Sequence, residues 1–186
     1  METSRIVKTF TSKKGTEVTF RYPSPTDFDR LWSFACDIGA EDTYVALSAP
    51  PTEEEERTFF DGMIQDVTKR ESVYLLAFVG DTLIGNGRVT RGKGRHHHVG
   101  NMGISLRAPY RNEGIGFALM QSLIDEARAL GLRLLTLTCF ETNAPALHVY
   151  EKLGFRKAGV IPEAIRFKEQ YVGEVHLYLP LTEKEK

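Results

Sequence analysis

The chain has 186 residues, about the length of one domain. Its 24 basic residues are balanced by 25 acidic ones and 41% of its residues are hydrophobic, which is typical of a globular protein without an overall positive charge for nucleic acid. No apolar run approaches the roughly 20 residues of a membrane span, and residues 1–20 lack a signal peptide's apolar segment. We therefore expect one cytoplasmic domain over residues 1–186, with an N-terminal extension over 1–15, a frayed tail over 182–186, and no nucleic-acid or membrane partner.

The first third of the chain predicts one strand and two amphipathic helices. Residues 17–22 alternate polar and apolar side chains, as a strand with one buried face does. Apolar side chains then recur at helical spacing over residues 28–39 and again over 53–70. Thr52 and Glu55 stand at the spacing of a capping box, which predicts the start of the second helix.

The remainder predicts a strand meander followed by alternating helices and strands. Two apolar runs within residues 72–91 are separated by Gly80-Asp81, a pair typical of a hairpin turn. The later elements are a strand over 97–106, a helix over 114–130, a strand over 132–140, a helix over 143–154 and two final strands, the last over 170–181. This order predicts a mixed sheet covered by helices, antiparallel at first and parallel around the central strand, helix, strand unit.

The two cysteines indicate no disulfide or metal framework. Cys36 and Cys139 lie far apart, and neither stands at zinc-ligand spacing from another cysteine. Cys139 belongs to an apolar run, which favours a buried core thiol over a nucleophile.

A glycine-containing turn before the long helix is the most informative segment. Residues 111–116 read Arg-Asn-Glu-Gly-Ile-Gly. Two glycines allow a tight turn, and the unpaired N–H groups of the first helical turn then point into one small volume that favours an anion. These donors together with Arg111 suffice to hold a pyrophosphate. A glycine turn that merely starts a helix explains the same residues equally well at this point.

Two other phosphate-binding motifs are absent from this turn. A Walker loop ends in Gly-Lys-Ser/Thr, and a dinucleotide-binding turn reads Gly-x-Gly-x-x-Gly. The turn instead matches Arg/Gln-x-x-Gly-x-Gly/Ala, and residues 143–155 match Asn-x-x-Ala-x-x-x-Tyr-x-Lys-x-Gly-Phe. With both motifs in this order, the chain resembles the GNAT acetyltransferase superfamily.

The resemblance implies a mixed α/β fold of the α+β type. Its sheet would be mixed and mostly antiparallel, with six or seven strands, helices on both faces and a splayed central pair of strands. Acetyl-CoA is the implied cofactor, with its pantetheine arm along the outgoing strand and its pyrophosphate at the glycine turn. The implied cofactor-binding residues are Ile104, Ser105, Leu106, Arg111, Asn112, Glu113, Gly114, Ile115, Gly116, Asn143 and Tyr150.

Acetyl transfer from a thioester to an amine needs a neutral amine, a stabilised oxyanion and a proton for the departing thiolate. The resemblance implies that Tyr150 lies beside the thioester sulfur and acts as the general acid. A backbone N–H near Ile104 is the expected oxyanion donor. An aromatic side chain packed in the core is the alternative interpretation of Tyr150.

The general base is where the sequence departs from the family pattern. Several members carry a glutamate on the strand before the glycine turn, but residues 96–105 contain no carboxylate. His98 is one candidate, because it shares a face with alternate residues of this strand and imidazole is mostly neutral at pH 7. An exposed loop end or an adventitious metal site explains it as well. Glu41, Asp42 and Glu141 are further candidates.

The acceptor cleft is expected between residues 36–58 and residues 162–173. Acidic residues at 41–42 and 53–56 suit a cationic amine, although a helix start explains the second run equally well. Tyr171 either lines the cleft or packs against the sheet. We expect transfer of acetyl from acetyl-CoA to the primary amine of a small molecule, such as an amino acid or polyamine, by direct attack in a ternary complex.

Two alternatives stay open. The acceptor is a protein N-terminus or lysine if the cleft is an open groove. The chain is a non-catalytic CoA-binding sensor module if it has lost turnover. The expected partner is a small-molecule amine, and a homodimer is left open.

Overall fold

The computed structural model describes residues 3–41, 43–45 and 49–182. In this part of the chain the strands are β1 (Ile6–Thr11), β2 (Glu17–Arg21), β3 (Ser72–Val79), β4 (Thr82–Arg91), β5 (Val99–Leu106), β6 (Leu134–Phe140), β7 (Arg156–Phe167) and β8 (Gln170–Pro180). The helices are α1 (Phe28–Ala40), α2 (Glu53–Lys69), α3 (Ile115–Ala129) and α4 (Ala144–Lys152). None of these helices is long and apolar enough to cross a membrane.

The eight strands form one sheet in the order β1-β2-β3-β4-β5-β6-β8-β7. Neighbouring strands run antiparallel except β5 and β6, which are parallel because α3 carries the chain back between them. The mixed, mostly antiparallel sheet is therefore confirmed. It has one strand more than the six or seven expected.

The additional strand is β1, which lies within the N-terminal extension predicted over residues 1–15. It pairs with β2 at the edge of the sheet, and most of its side chains are exposed. An edge strand without a buried face has no apolar alternation to reveal it. Residues 183–186 of the predicted frayed tail lie outside the described residues.

Helices α2 and α3 cover opposite faces of the sheet, as expected. On one face the ring of Phe59 in α2 packs against Tyr74 of β3, with centroids 6.2 Å apart. On the other, a Cβ on Gly87 of β4 would lie 2.6 Å from Leu123 of α3. Because side chains alternate along a strand, Arg88 returns to the first side and lies over Phe59. We name these sides the α2 face and the α3 face.

The β1–β2 hairpin holds α3 near both of its ends. At the start, the Glu113 carboxylate accepts a 2.9 Å hydrogen bond from Ser12 and lies 3.1 Å from the Lys14 ammonium. Near the end, Glu126 accepts hydrogen bonds from the Tyr22 hydroxyl at 2.8 Å and from Arg5 at 2.6 Å. The start of α3, where the glycine turn lies, is therefore fixed relative to the sheet.

Candidate active site

Strands β5 and β6 pair briefly and then separate. The pairing ends at Asn101 and Thr136, after three residue pairs. Residues 102–106 of β5 and 137–140 of β6 have no ladder partner across this boundary, while both strands stay paired with their other neighbours to their last residues. The result is a wedge between two ordered strands with free backbone edges. The predicted splayed pair is confirmed.

The glycine turn lies where β5 ends and α3 begins. Asn112 and Gly114 have positive φ angles of 63° and 82°, which turn the chain sharply into the helix at Ile115. A Cβ on Gly116 would lie 3.4 Å from Leu106, so the first turn of α3 packs closely against the end of β5. The N-terminal amides of α3 therefore point toward the mouth of the wedge, where an anion is favoured.

The polar side chains of this turn have partners within the protein. Arg111 donates from Nε to the Leu106 carbonyl at 2.9 Å and pairs through its guanidinium with Glu41. Glu113 is buried, and hydrogen bonds from Lys14 and Ser12 lower the pKa of its carboxyl. The backbone N–H groups are thus the main donors that the turn can offer a ligand.

Lys13 is a cation beside this turn that the sequence analysis did not single out. Its amide donates a 3.1 Å hydrogen bond to the Glu113 carbonyl, and its side-chain stem runs 3.5–3.8 Å from where a Cβ on Gly114 would lie. The side chain is exposed. An anion held by the amides of α3 would lie close to this ammonium.

Helix α4 brings Asn143 and Tyr150 to the β6 side of the wedge. Asn143 is the N-cap residue, and its Oδ1 accepts from the Ala146 amide at 3.3 Å, which leaves its NH2 group as a donor. Burial raises the pKa of Tyr150, with a smaller contribution from the Cys139 thiol. The Tyr150 hydroxyl has no hydrogen-bond partner among the described residues. It is a protonated donor available to a ligand.

Cys139 is buried in the core, as its apolar surroundings predicted. Burial raises its pKa to about 11, so the thiol is neutral at physiological pH. A neutral, enclosed thiol is a poor nucleophile, and Cys139 serves as packing beside Tyr150.

Where the structure describes the predicted general bases, they lie outside the open part of the wedge or have other partners. His98 precedes the closed end of the wedge, and at about 3.3 Å per strand residue it lies about 20 Å from Ile104. Glu41 is engaged by Arg111. The Glu141 carboxylate lies against the backbone of Gly173, 2.4 Å from where a Cβ would stand. Asp42 lies outside the described residues.

Three aromatic rings meet at the open end of β6, and we name Tyr44, Phe140 and Phe167 the aromatic trio. Their ring centroids are 4.9–5.5 Å apart. Tyr44 also donates a 3.2 Å hydrogen bond to the Thr142 carbonyl. The two segments predicted to form the acceptor cleft are thus in contact here. Tyr171, which was expected either to line the cleft or to pack against the sheet, is 68% exposed.

A carboxylate and an imidazole on β8 also lie beside the wedge, and the sequence analysis missed both. Oε2 of Glu174 lies 3.0 Å from Nε2 of His176. Their signal in the sequence was two polar residues at alternate positions of a strand whose other face is apolar. That signal identifies no site until the strand's neighbours are known.

The arrangement agrees with comparisons to known proteins. The chain matches the model of the acetyltransferase (GNAT) family over residues 40–155, well over half of its length. It is 38% identical over 66 residues to the L-amino acid N-acetyltransferase AaaT of Escherichia coli, a match that covers 35% of this chain and 41% of that protein. It is 39% identical over 57 residues to the ribosomal protein bS18 alanine N-acetyltransferase of Escherichia coli, covering 31% of this chain and 38% of that protein.

The similarity in fold covers more of the chain than these local matches. A GNAT-family acetyltransferase from Streptococcus pneumoniae has a TM-score of 0.80 at 25% identity, over 89% of this chain and 99% of that one. The matches to the two curated relatives span only 38–41% of their lengths. The cofactor of the family is acetyl-CoA. On the family match and the wedge and glycine turn that accompany it, the chain belongs to the GNAT acetyltransferase family.

Proposed function

We propose that this protein transfers an acetyl group from acetyl-CoA to the primary amine of a small molecule, by direct attack within a ternary complex. The observation that carries the proposal is the wedge between β5 and β6 with the glycine turn at its mouth. A thioester carrier needs an anchor for its diphosphate and an extended slot for its arm. The two features supply both within one connected site.

The anchor combines backbone dipoles with a side-chain cation. The amides from Gly114 and Gly116 at the start of α3 receive the pyrophosphate, and Lys13 adds a positive charge at the outer side of the turn. Arg111 orients the turn through the Leu106 carbonyl. Because this anchor is mainly backbone, its geometry depends on the left-handed conformation at Gly114.

The slot directs the acetyl group toward Tyr150. The open edge of β5 over residues 104–106 pairs with the pantetheine arm as a neighbouring strand would, and the Asn143 NH2 group is placed to hydrogen-bond the arm from the other side. A backbone N–H near Ile104 stabilises the oxyanion.

Tyr150 assists departure of the thiolate by donating a hydrogen bond to sulfur. A thiol has a pKa of about 8.5 and a phenol about 10 in water, and burial raises the pKa of Tyr150 further. The Tyr150 hydroxyl therefore stays protonated and can donate a hydrogen bond to the developing thiolate. We expect Tyr150 to stabilise the developing charge and solvent to complete the protonation.

The aromatic trio favours a small acceptor with an apolar group next to its amine. The α1–α2 segment and the β7–β8 hairpin meet at Tyr44 and Phe167, which closes one end of the cleft instead of leaving the through-going groove that a polypeptide needs. Apolar ligand surface is favoured against three rings. The similarity to an L-amino acid N-acetyltransferase supports the same acceptor class.

Acetylation of a protein N-terminus is the second candidate. The similarity to a ribosomal protein alanine N-acetyltransferase favours it. A peptide would have to displace Tyr44 from Phe167 in order to pass through the cleft.

The test is release of free CoA thiol from acetyl-CoA with a panel of acceptors. The panel holds amino acids with apolar, small and charged side chains, polyamines, and peptides with free N-termini or lysines. We expect release with free amines that carry apolar groups and none with peptides. Release with peptides alone would assign the second candidate. CoA binding without thiol release for any acceptor would assign a sensor module instead.

A further inference from the structure

The pairing of strands shows which β6 side chains point to each face of the sheet. Ile104 of β5 lies opposite Gly87 of β4, whose Cβ position meets α3. Gly100 lies four residues before Ile104, so it points to the same α3 face. Gly100 in turn pairs with Leu135 of β6. Leu135 therefore lies on the α3 face.

Because side chains alternate along β6, this assignment shows which of its later residues face each side of the sheet beside the wedge. Cys139, four residues after Leu135, points to the α3 face, and Tyr150 approaches from that side. Thr138 and Phe140 point to the α2 face. The departing thiolate and its hydrogen-bond donor are thus on one face, and the attacking amine has the other face free.

Glu174 and His176 lie on the α2 face beside this opening. The register of the antiparallel pair β6–β8 sets His176 opposite Thr138 and Glu174 opposite Phe140, and opposed residues share a face. His176 is thus one strand spacing, about 4.8 Å, from the edge of the wedge. An amine seated over Thr138, directly or through one water molecule, lies within reach of the imidazole.

The Glu174 carboxylate lies against the imidazole. Its Oε2 is 3.0 Å from Nε2, at ion-pair distance but not aligned for a hydrogen bond, and Nε2 is buried although the His176 side chain as a whole is 41% exposed. A carboxylate at Nε2 favours the tautomer with its hydrogen on Nε2, which leaves the lone pair on Nδ1. Nδ1 has no hydrogen-bond partner among the described residues. A base oriented by a third group is the arrangement that proton abstraction needs.

We propose that His176, positioned by Glu174, is the catalytic base that accepts the proton of the attacking amine. The proposal rests on the acetyl transfer proposed above and adds its missing residue. The imidazole accepts one proton from the ammonium form of the acceptor on Nδ1, the neutral nitrogen then forms a bond to the acetyl carbon, and the second proton of that nitrogen leaves to solvent. The carbon–sulfur bond breaks, the electron pair leaves on sulfur beside Tyr150, and solvent protonates the thiolate. The imidazole returns its proton to solvent.

The test compares His176→Gln with His98→Gln, the same substitution at the base that the sequence predicted. The acceptors are the best amine of the panel and its aminooxy counterpart, whose nitrogen is neutral at pH 7. We expect His176→Gln to lower kcat about 100-fold with the amine and less than about threefold with the aminooxy compound. The Kd for acetyl-CoA, measured by calorimetry, stays within about twofold, and added imidazole restores part of the rate. His98→Gln behaves as the unmodified protein.

A second variant separates catalysis from folding. Glu174→Gln keeps the shape of the side chain, and we expect it to lower kcat about tenfold with the melting temperature unchanged. A kcat for His176→Gln within threefold of the unmodified enzyme, or a large loss in His98→Gln, overturns the proposal while the acetyl transfer stands. An unmodified protein that releases no thiol with any acceptor overturns both.

Discussion

Ser12 donates a 2.9 Å hydrogen bond to the buried carboxylate of Glu113, 101 residues later in the chain. This bond ties the β1–β2 turn to the glycine turn. A second link joins the same buried carboxylate to the Lys14 ammonium at 3.1 Å, and the Lys14 side chain is 65% exposed. The position of the glycine turn, where we propose that the pyrophosphate binds, therefore depends on a hairpin at the edge of the sheet.

Ser12→Ala removes the donor and leaves the Glu113 carboxylate buried with a single partner. We expect the Kd for CoA to rise about threefold to tenfold, because the turn is held less firmly. Calorimetric titration with CoA measures this. Thr9→Ala, which removes an exposed hydrogen bond to Thr19 in the same hairpin, is the matched control and should leave the Kd unchanged. Equal affinity in the two variants would show that the hairpin does not hold the anchor.

Gly114→Glu places a carboxylate at the proposed pyrophosphate position. The left-handed backbone there strains any side chain, and a Cβ would contact only the exposed Lys13. Gly114→Gln has the same shape and strain without the charge. We expect both variants to fold and to bind CoA more weakly, with the Glu variant about tenfold weaker than the Gln variant at low salt. Calorimetric titration with CoA at two salt concentrations measures this difference. Identical Kd values for the Glu and Gln variants would show that the pyrophosphate does not bind at this turn.

Tyr150→Phe removes the hydroxyl and keeps the ring that packs near Phe155. We expect kcat to fall about 10- to 100-fold while the Kd for CoA changes less than about twofold, because the donor acts on charge that develops in the transition state. Tyr171→Phe, at an exposed tyrosine, is the matched control. An unchanged kcat in Tyr150→Phe would leave this residue with a packing role.

Glu41→Gln removes the charge that neutralises Arg111. If the pyrophosphate lies beside Arg111, CoA should bind a few-fold more tightly at low salt, and kcat should stay within about threefold. Asp37→Asn, which breaks the neighbouring pair with Arg107, serves as the control. A kcat reduced about 100-fold would instead identify Glu41 as a base, so steady-state kinetics decide between the two roles.

Asp27 stabilises the fold in a pH-dependent way. Burial alone would raise the pKa of Asp27, but two hydrogen bonds from Arg21 and one from the Ser24 amide lower it below its usual value. The stabilisation is therefore complete above about pH 4 and is lost as the pH falls through the lowered pKa.

We expect Asp27→Asn to cost about 3 kcal/mol of unfolding free energy at pH 7, because it leaves a half-buried guanidinium without its charge partner. Its stability should also fall less than that of the unmodified protein between about pH 4 and pH 2. Urea unfolding at several pH values measures both effects. Asp29→Asn, at an exposed position two residues later in the first turn of α1, is the control. Parallel pH profiles for the two variants would contradict the assignment.

The sequence predicted the elements whose patterns are local. The helices and six of the eight strands were located from apolar spacing, because one buried face imposes a period of 3.6 or 2, whereas β7 was expected only as one of two final strands without bounds. Strand β1 was not identified, because it lies at the edge of the sheet beside β2 with most of its side chains exposed, and so shows no apolar alternation. The glycine turn was identified because positive φ angles at Asn112 and Gly114 require particular residue types in a short stretch.

The general base depends on strands that are neighbours in the sheet but distant in the sequence. His98 directly precedes the strand that forms one edge of the wedge, and alternation gives it the α3 face, opposite the face proposed for the amine, at the closed end of the wedge. His176 lies 70 residues after the end of β5 and becomes a neighbour of the wedge through the register of β6 with β8. The number of residues along one strand can be counted in the sequence. Which strand lies beside it in the sheet cannot be read from the sequence.

By itself, the sequence determined the backbone conformations and the cofactor turn, since these depend on residues close together in the chain. The tertiary structure decided which side chains lie beside the wedge, namely Tyr150 on one face of the sheet and Glu174 and His176 of β8 on the other. The physical reason is that strand order and register are set by contacts between distant segments, where a shift of one residue would move every side chain to the opposite face.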